Sequence, residues 1–179
     1  DKEGFVVESA EEQHDGLRVR KHKRTGKRIA FFCPHGTGFW RPGDLETKGL
    51  GGSESSVAHL AIKLAERGHK VTTYTAADHE FGWYKGIDQR YSTAHMATEQ
   101  KNLDVVIACR SPWLVRNPEM KIPVWAWHQD NGYGNSWQWS PEVANKLAGN
   151  LHVSKWAQDG LIRELGTAAG LPDPRRHSV

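Results

Sequence analysis

The stretch Gly49-Leu50-Gly51-Gly52-Ser53-Glu54-Ser55-Ser56-Val57-Ala58-His59-Leu60-Ala61-Ile62-Lys63-Leu64-Ala65-Glu66-Arg67-Gly68-His69-Lys70-Val71 decides the fold. Val57, Leu60, Ala61, Leu64 and Ala65 recur at i, i+3, i+4, i+7 and i+8, which predicts a helix with one apolar face. Ser53 is the expected N-cap, and Gly68 stands where a left-handed residue ends a helix. The glycines ahead of the helix let the backbone bend tightly and present bare amides. Free N–H groups and the positive dipole end point the same way, a geometry suited to a phosphate or a sugar hydroxyl.

Strands are expected on both sides of this helix. Lys70 to Thr75 is β-branched and aromatic, and Arg28-Ile29-Ala30-Phe31-Phe32-Cys33-Pro34 is the continuous apolar run of a strand buried on both faces. Further on, Leu103 to Cys109 and Lys121 to Trp127 predict strands, with a short one at Asn150 to Val153 and a weaker one at Gln89 to Ser92. The region Ala76 to Gly86 reads as irregular. Ser140 with Pro141 starts one helix reaching Leu147, and Ser154 caps another that runs to Gly166. Strands alternating with helices imply an α/β fold, a Rossmann-like doubly wound parallel sheet with its ligand at the carboxyl edge. Residues 1–27 read as an N-terminal extension with a short strand pair, Phe5 to Val7 and Leu17 to Arg20; the domain proper spans 28–179.

Composition narrows the function classes. The chain has 179 residues, 37% hydrophobic and 25% charged, the balance of one globular α/β domain. No apolar stretch approaches membrane-spanning length and no signal-like start is seen, so the expected compartment is cytoplasmic. Cys33 and Cys109 lie at the ends of core strands and are expected to be buried thiols. Seven cations between Arg18 and Arg28 follow an acidic leader. Without stacking aromatics or a nucleic-acid module they predict a solvated basic segment, and nucleic acid is not the expected partner.

Two phosphate motifs are absent. A G-x-G-x-x-G beginning at Gly49 would need glycine where Glu54 stands, and no G-x-x-x-x-G-K-[ST] occurs. The eight tryptophans lie largely in or beside loops after strands, where their faces suit sugar rings, although Trp125 and Trp127 belong to a strand and are expected in the core. A second cluster, Trp127-His128-Gln129-Asp130-Asn131-Gly132-Tyr133-Gly134, follows an apolar strand and puts an imidazole and a carboxylate at the carboxyl edge. Proton handling, metal binding and a hydrogen-bonded loop histidine are all open to it, though His128 and Asp130 supply at most two metal ligands.

Pro34, Gly51-Gly52-Ser53-Glu54, the run from Leu60 to Val71, His128 and Val153-Ser154-Lys155-Trp156 together resemble the N-terminal domain of GT-B-fold, retaining glycosyltransferases of the GT4 family. The resemblance spans about Arg28 to Leu165 and lies in the order and spacing of motifs. It implies that Gly51, Gly52 and Ser53 approach the diphosphate of a nucleotide-sugar donor and that His128 contacts the transferred sugar as the catalytic-centre residue. It implies an acceptor, a carbohydrate or another hydroxyl compound, bound by this domain, with Phe39, Trp40, Trp83, Asp130, Tyr133 and Trp137 as candidate walls. It implies no metal and no cofactor beyond the donor, because GT-B enzymes generally use helix dipoles and basic side chains instead.

The sequence departs from the family in two places. His35 to Leu50 is longer than the usual connection, and the acidic E-x(7)-E segment and basic residue of the family's C-terminal donor domain have no match. The chain is therefore expected to be one half of a two-domain enzyme, inactive or nearly so by itself. The alternative is a non-catalytic carbohydrate-binding or assembly module that kept the fold.

Overall fold

The computed structural model describes residues 26–34, 39–76, 82–91, 100–129, 140–166 and 177–178. Strand β1 (Arg28–Cys33) leads through a long loop to α1 (Gly52–Glu66) and β2 (Lys70–Thr75). A hairpin of β3 (Gly82–Tyr84) and β4 (Ile87–Tyr91) follows, then β5 (Val105–Cys109) and β6 (Val124–His128). Next come α2 (Pro141–Lys146), β7 (Gly149–His152), α3 (Lys155–Gly166) and β8 (His177–Ser178). They build one sheet in the order β3-β4-β2-β1-β5-β6-β7-β8, parallel throughout except for β3. This is the expected α/β, Rossmann-like parallel architecture. The expected strand pair at residues 5–7 and 17–20 lies outside the described residues.

Each face of the sheet carries its own core. Ile29, Phe31, Cys33, Val71, Ile87 and Cys109 face Val57 and Ala61 of α1. Alternate residues Ala30, Phe32, Val106, Ala108, Val124 and Ala126 face Val143, Leu147, Leu114 and Val115 on the other side. This is the two-residue period of strands buried on both faces. Chain direction turns between β1 and β5: from β1 the chain goes to β2 under α1, and from β5 it goes to β6 under the opposite layer. Their carboxyl ends therefore form the switch point where ligands of such sheets bind.

Local chemistry explains the ends of the elements. α1 stops at Gly68, whose φ is +85°, with His69 N–H donating to Leu64 O at 3.1 Å and Gly68 N–H to Ala65 O at 2.9 Å. That pair of bonds is a Schellman cap. Ser140 Oγ accepts from Val143 N–H, and Ser154 Oγ from Ala157 N–H, each at 3.2 Å, so both serine caps form as the sequence implies. At the other end of the sheet, the Asp104 carboxylate before β5 takes the Arg28 backbone N–H at 2.8 Å and its guanidinium at 2.9 Å.

Two expectations need correction. The N-cap of α1 is Gly51, with Ser53 already inside the first turn. Trp83 and Tyr84, expected in an irregular region, belong to a two-residue hairpin through Lys85 and Gly86, both left-handed at φ +46° and +79°. That pair suits a primed turn, and no Asn-Gly or Asp-Gly advertises it. From Phe39 on, the loop before α1 makes a 3-10 turn at Pro42–Glu46 whose buried Asp44 binds Arg41 and Lys48.

Two outcomes test this packing. A Cβ on Gly149 would lie 2.6 Å from the Trp125 ring across the β6–β7 pair, so Gly149→Ala is expected to lower stability by about 1–3 kcal/mol in urea unfolding. The Asp104 carboxyl is held below its ordinary range, first by its side-chain bond to Arg28. A carboxyl depressed in the folded state adds stability above its unfolded pKa and loses it as pH falls. Wild type should therefore lose more stability than Asp104→Asn between about pH 5 and pH 3, a modest difference because both side chains are partly solvated.

Candidate functional site

A shallow, open crevice with room inside for about one water-sized group, about 10 Å³, lies at the switch point, lined by Cys33, Trp40, Ser53, Glu54, Val57, Cys109, Arg110 and Gln129. β1 and β5 contribute its floor through Cys33 and Cys109, the first turn of α1 gives Ser53 and Glu54, and the loop before α1 folds Trp40 over it. Trp40 is positioned by its backbone N–H, which donates to Ala76 O at 3.1 Å. The loop carrying it is pinned to the hairpin by Gly43 N–H to Gln89 Oε1 at 3.1 Å and by a 2.5 Å ion pair of Lys85 with Glu46.

β6 reaches the crevice through Gln129, whose Nε2 donates to the Ser53 backbone carbonyl at 3.2 Å. This bond ties the end of β6 to the start of α1. Arg110, the first residue after β5, has a φ of +55°, uncommon for a residue with a side chain. Its N–H donates to Trp127 O at 3.1 Å, which holds this left-handed step beside β6.

The carboxylate of Glu54 is 5% exposed and folds back on Gly51, where a Cβ would lie 2.3 Å from Oε2. Glycine at 51 leaves the space that the carboxylate fills. A negative group at the third position of a helix offsets the positive end of its dipole. Around Gly52, by contrast, space is open. Cys33 and Cys109 are free and buried as expected, and burial pushes the Cys33 thiol well above its ordinary pKa. Cys33 is therefore uncharged at neutral pH, and both sulfurs belong to the apolar core beneath α1.

The expected meeting of the glycine turn with the His128 ring does not occur on one face. His128 follows Val124 and Ala126 at two-residue spacing, which puts its ring on the face away from α1. There it is 8% exposed, shares a 2.9 Å hydrogen bond between Nε2 and Asn150 Oδ1, and stacks on His152 with centroids 4.7 Å apart. Its neighbour Gln129 takes the place beside Ser53.

The aromatic candidates also separate. Trp40 is buried and lines the crevice, whereas Phe39 is 64% exposed. Trp83, 75% exposed, pairs with Asp88, while Tyr84 on the other face of the hairpin approaches Gly43 of the loop. Asp130, Tyr133 and Trp137 lie outside the described residues. Among the described residues no group of three or more His, Cys, Asp or Glu could hold a metal ion, and no helix is long and apolar enough to cross a membrane. Sequence reading did not single out Glu54, Arg110 or Gln129 as site residues; the place of Gln129 one step after a strand-end histidine was the available signal.

No protein-family model matches the chain, and no curated protein matches it.

The two sides of β6 predict different responses. Gln129→Ala should shift the backbone amide resonances of Gly51 to Ser55 and cost about 1 kcal/mol. His128→Ala should leave those resonances in place and disturb Asn150 and His152 instead, read in the same heteronuclear NMR spectra.

Proposed function

We propose that this chain is the acceptor-side α/β half of a retaining, GT4-like glycosyltransferase with a GT-B architecture, moving a sugar from a nucleotide-sugar to a hydroxyl acceptor. The observation that supports this reading is the Gln129–Ser53 bond, which sets the glycine-led start of α1 against the switch point of a parallel sheet. Departure of the donor's diphosphate and development of positive charge on the sugar both need preorganised dipoles at fixed positions. Gly52 and Ser53 supply backbone amides on the open side of the turn, and Glu54 supplies negative charge beneath it.

In this reading the donor runs over Gly51, Gly52 and Ser53, with its sugar end toward the crevice and its nucleotide toward a second, donor-binding domain. The exposed ring of Phe39 stands on the loop that roofs the crevice, as an acceptor wall would. His128 enters through the packing of β6 against β7, since its ring is engaged with Asn150 and His152.

The test uses the polypeptide encoded by the complete gene, offered UDP-, GDP- and ADP-sugars, with release of nucleoside diphosphate as the readout. Release with at least one donor is expected, and Gly52→Val, whose Cβ meets no neighbouring atom, should cut it about tenfold to a hundredfold with the fold intact. No release with any donor would overturn the transfer reading, and sugar binding without release would favour the carbohydrate-binding module.

A further inference from the structure

The two cysteines of the chain stand side by side at the carboxyl edge of the sheet. β1 and β5 pair in parallel up to Phe32 and Ala108, and Cys33 and Cys109 are the next residue of each strand. Both side chains belong to the core beneath α1, so the two sulfurs lie on the same face of the sheet. Neighbouring strands run about 4.7–4.9 Å apart, inside the Cα spacing of about 4.4–6.8 Å usual for a disulfide. The thiols already interact: after burial, the Cys109 side chain is the next cause that keeps the Cys33 proton in place.

The crevice gives a small oxidant its way to this pair. It lies between the strand ends and the first turn of α1, the side on which both sulfurs lie, and Cys33 and Cys109 form part of its lining. Its interior has room for about one water-sized group, which admits an oxygen of hydrogen peroxide and excludes a molecule as large as glutathione. A single thiol oxidised there would pass through the sulfenic acid to the irreversible sulfinic acid. A second thiol in contact with it intercepts the sulfenic acid first.

We infer that Cys33 and Cys109 are a redox pair that closes to a disulfide with hydrogen peroxide and reopens with a dithiol reductant. Cys109 Sγ attacks one peroxide oxygen: an S–O bond forms, the O–O bond breaks, and the departing oxygen takes the thiol proton and leaves as water. Cys33 Sγ then attacks the sulfenic sulfur: the S–S bond forms, the S–O bond breaks, and the released hydroxyl takes the Cys33 proton as a second water. Both sulfurs are oxidised and the peroxide is reduced. The bridge joins β1 to β5 within the core that also holds Val57 and Trp40, so oxidation reshapes the floor of the crevice. This chemistry is independent of the sugar-transfer reading.

The experiment takes the full chain, reduced and freed of reductant, through graded hydrogen peroxide under native conditions. The readouts are intact mass, thiol counting in denaturant and peptide mapping. Expected are loss of both thiols together, a mass lower by two hydrogens, a peptide joining Cys33 to Cys109, and recovery of both thiols in dithiothreitol. In Cys33→Ala and Cys109→Ala the remaining thiol has no partner, so at the same peroxide dose it should gain oxygens that dithiothreitol does not remove. Circular dichroism shows whether each variant is folded, and should one unfold, the wild-type mass and peptide map decide alone. Stepwise gain of oxygen by wild type without a bridge, thiols that persist until the chain is unfolded, a bridge only between two molecules, or folded variants that recover as fully as wild type would each overturn the inference.

Discussion

Side chains along a strand alternate between faces, and at the carboxyl edge of this sheet that alternation decides which residues can act together. Val124, Ala126 and His128 belong to one face of β6, so Gln129 is the residue that turns toward α1. A one-residue slip in β6 would exchange the imidazole for the amide. The register is well fixed: Ala126 pairs with Ala108 on one side and Asn150 on the other, and the face carrying Val124, Ala126 and His128 is buried while Trp125 and Trp127 on the other are partly buried. The crevice, its bridge to Ser53 and the separate histidine stack all follow from that register.

Much of the architecture was legible because its signals are short-range. The apolar face of α1, the glycine that ends it, the serine caps of α2 and α3, the apolar runs of β1 and β5 and the β-branched run of β2 each depend on a few neighbouring residues. The hairpin was not legible, since Lys85-Gly86 carries only half of the usual turn signal and β3 is three residues long. Nor was the N-cap, because Gly51 and Ser53 are both acceptable there and the choice is made by Glu54 folding back and Gln129 reaching across.

The site was legible only in part, for the same physical reason. Glycines before a helix announce themselves in a linear reading, and Ser53 does line the crevice. Which side of β6 faces the glycines is a three-dimensional parity, and a histidine draws attention that the glutamine after it does not. Arg110 is harder still, since its place depends on a left-handed step that nothing in Cys109-Arg110-Ser111 signals. The burial of Trp40 follows from a loop tied to a hairpin more than forty residues onward, through Gly43 and Gln89.

The short antiparallel strand at the margin of the sheet also bears on how the protein behaves in a crowded solution. A long parallel sheet with open margins invites other chains to continue it, strand upon strand. β3 offers only Gly82 to Tyr84 for such growth and then turns sharply at Lys85, whose charge is engaged with Glu46. The hairpin that secures the roof of the crevice is thus also a terminator of polymerisation. A mutation that loosened it would expose β4, and the first symptom could be lost solubility as readily as lost binding.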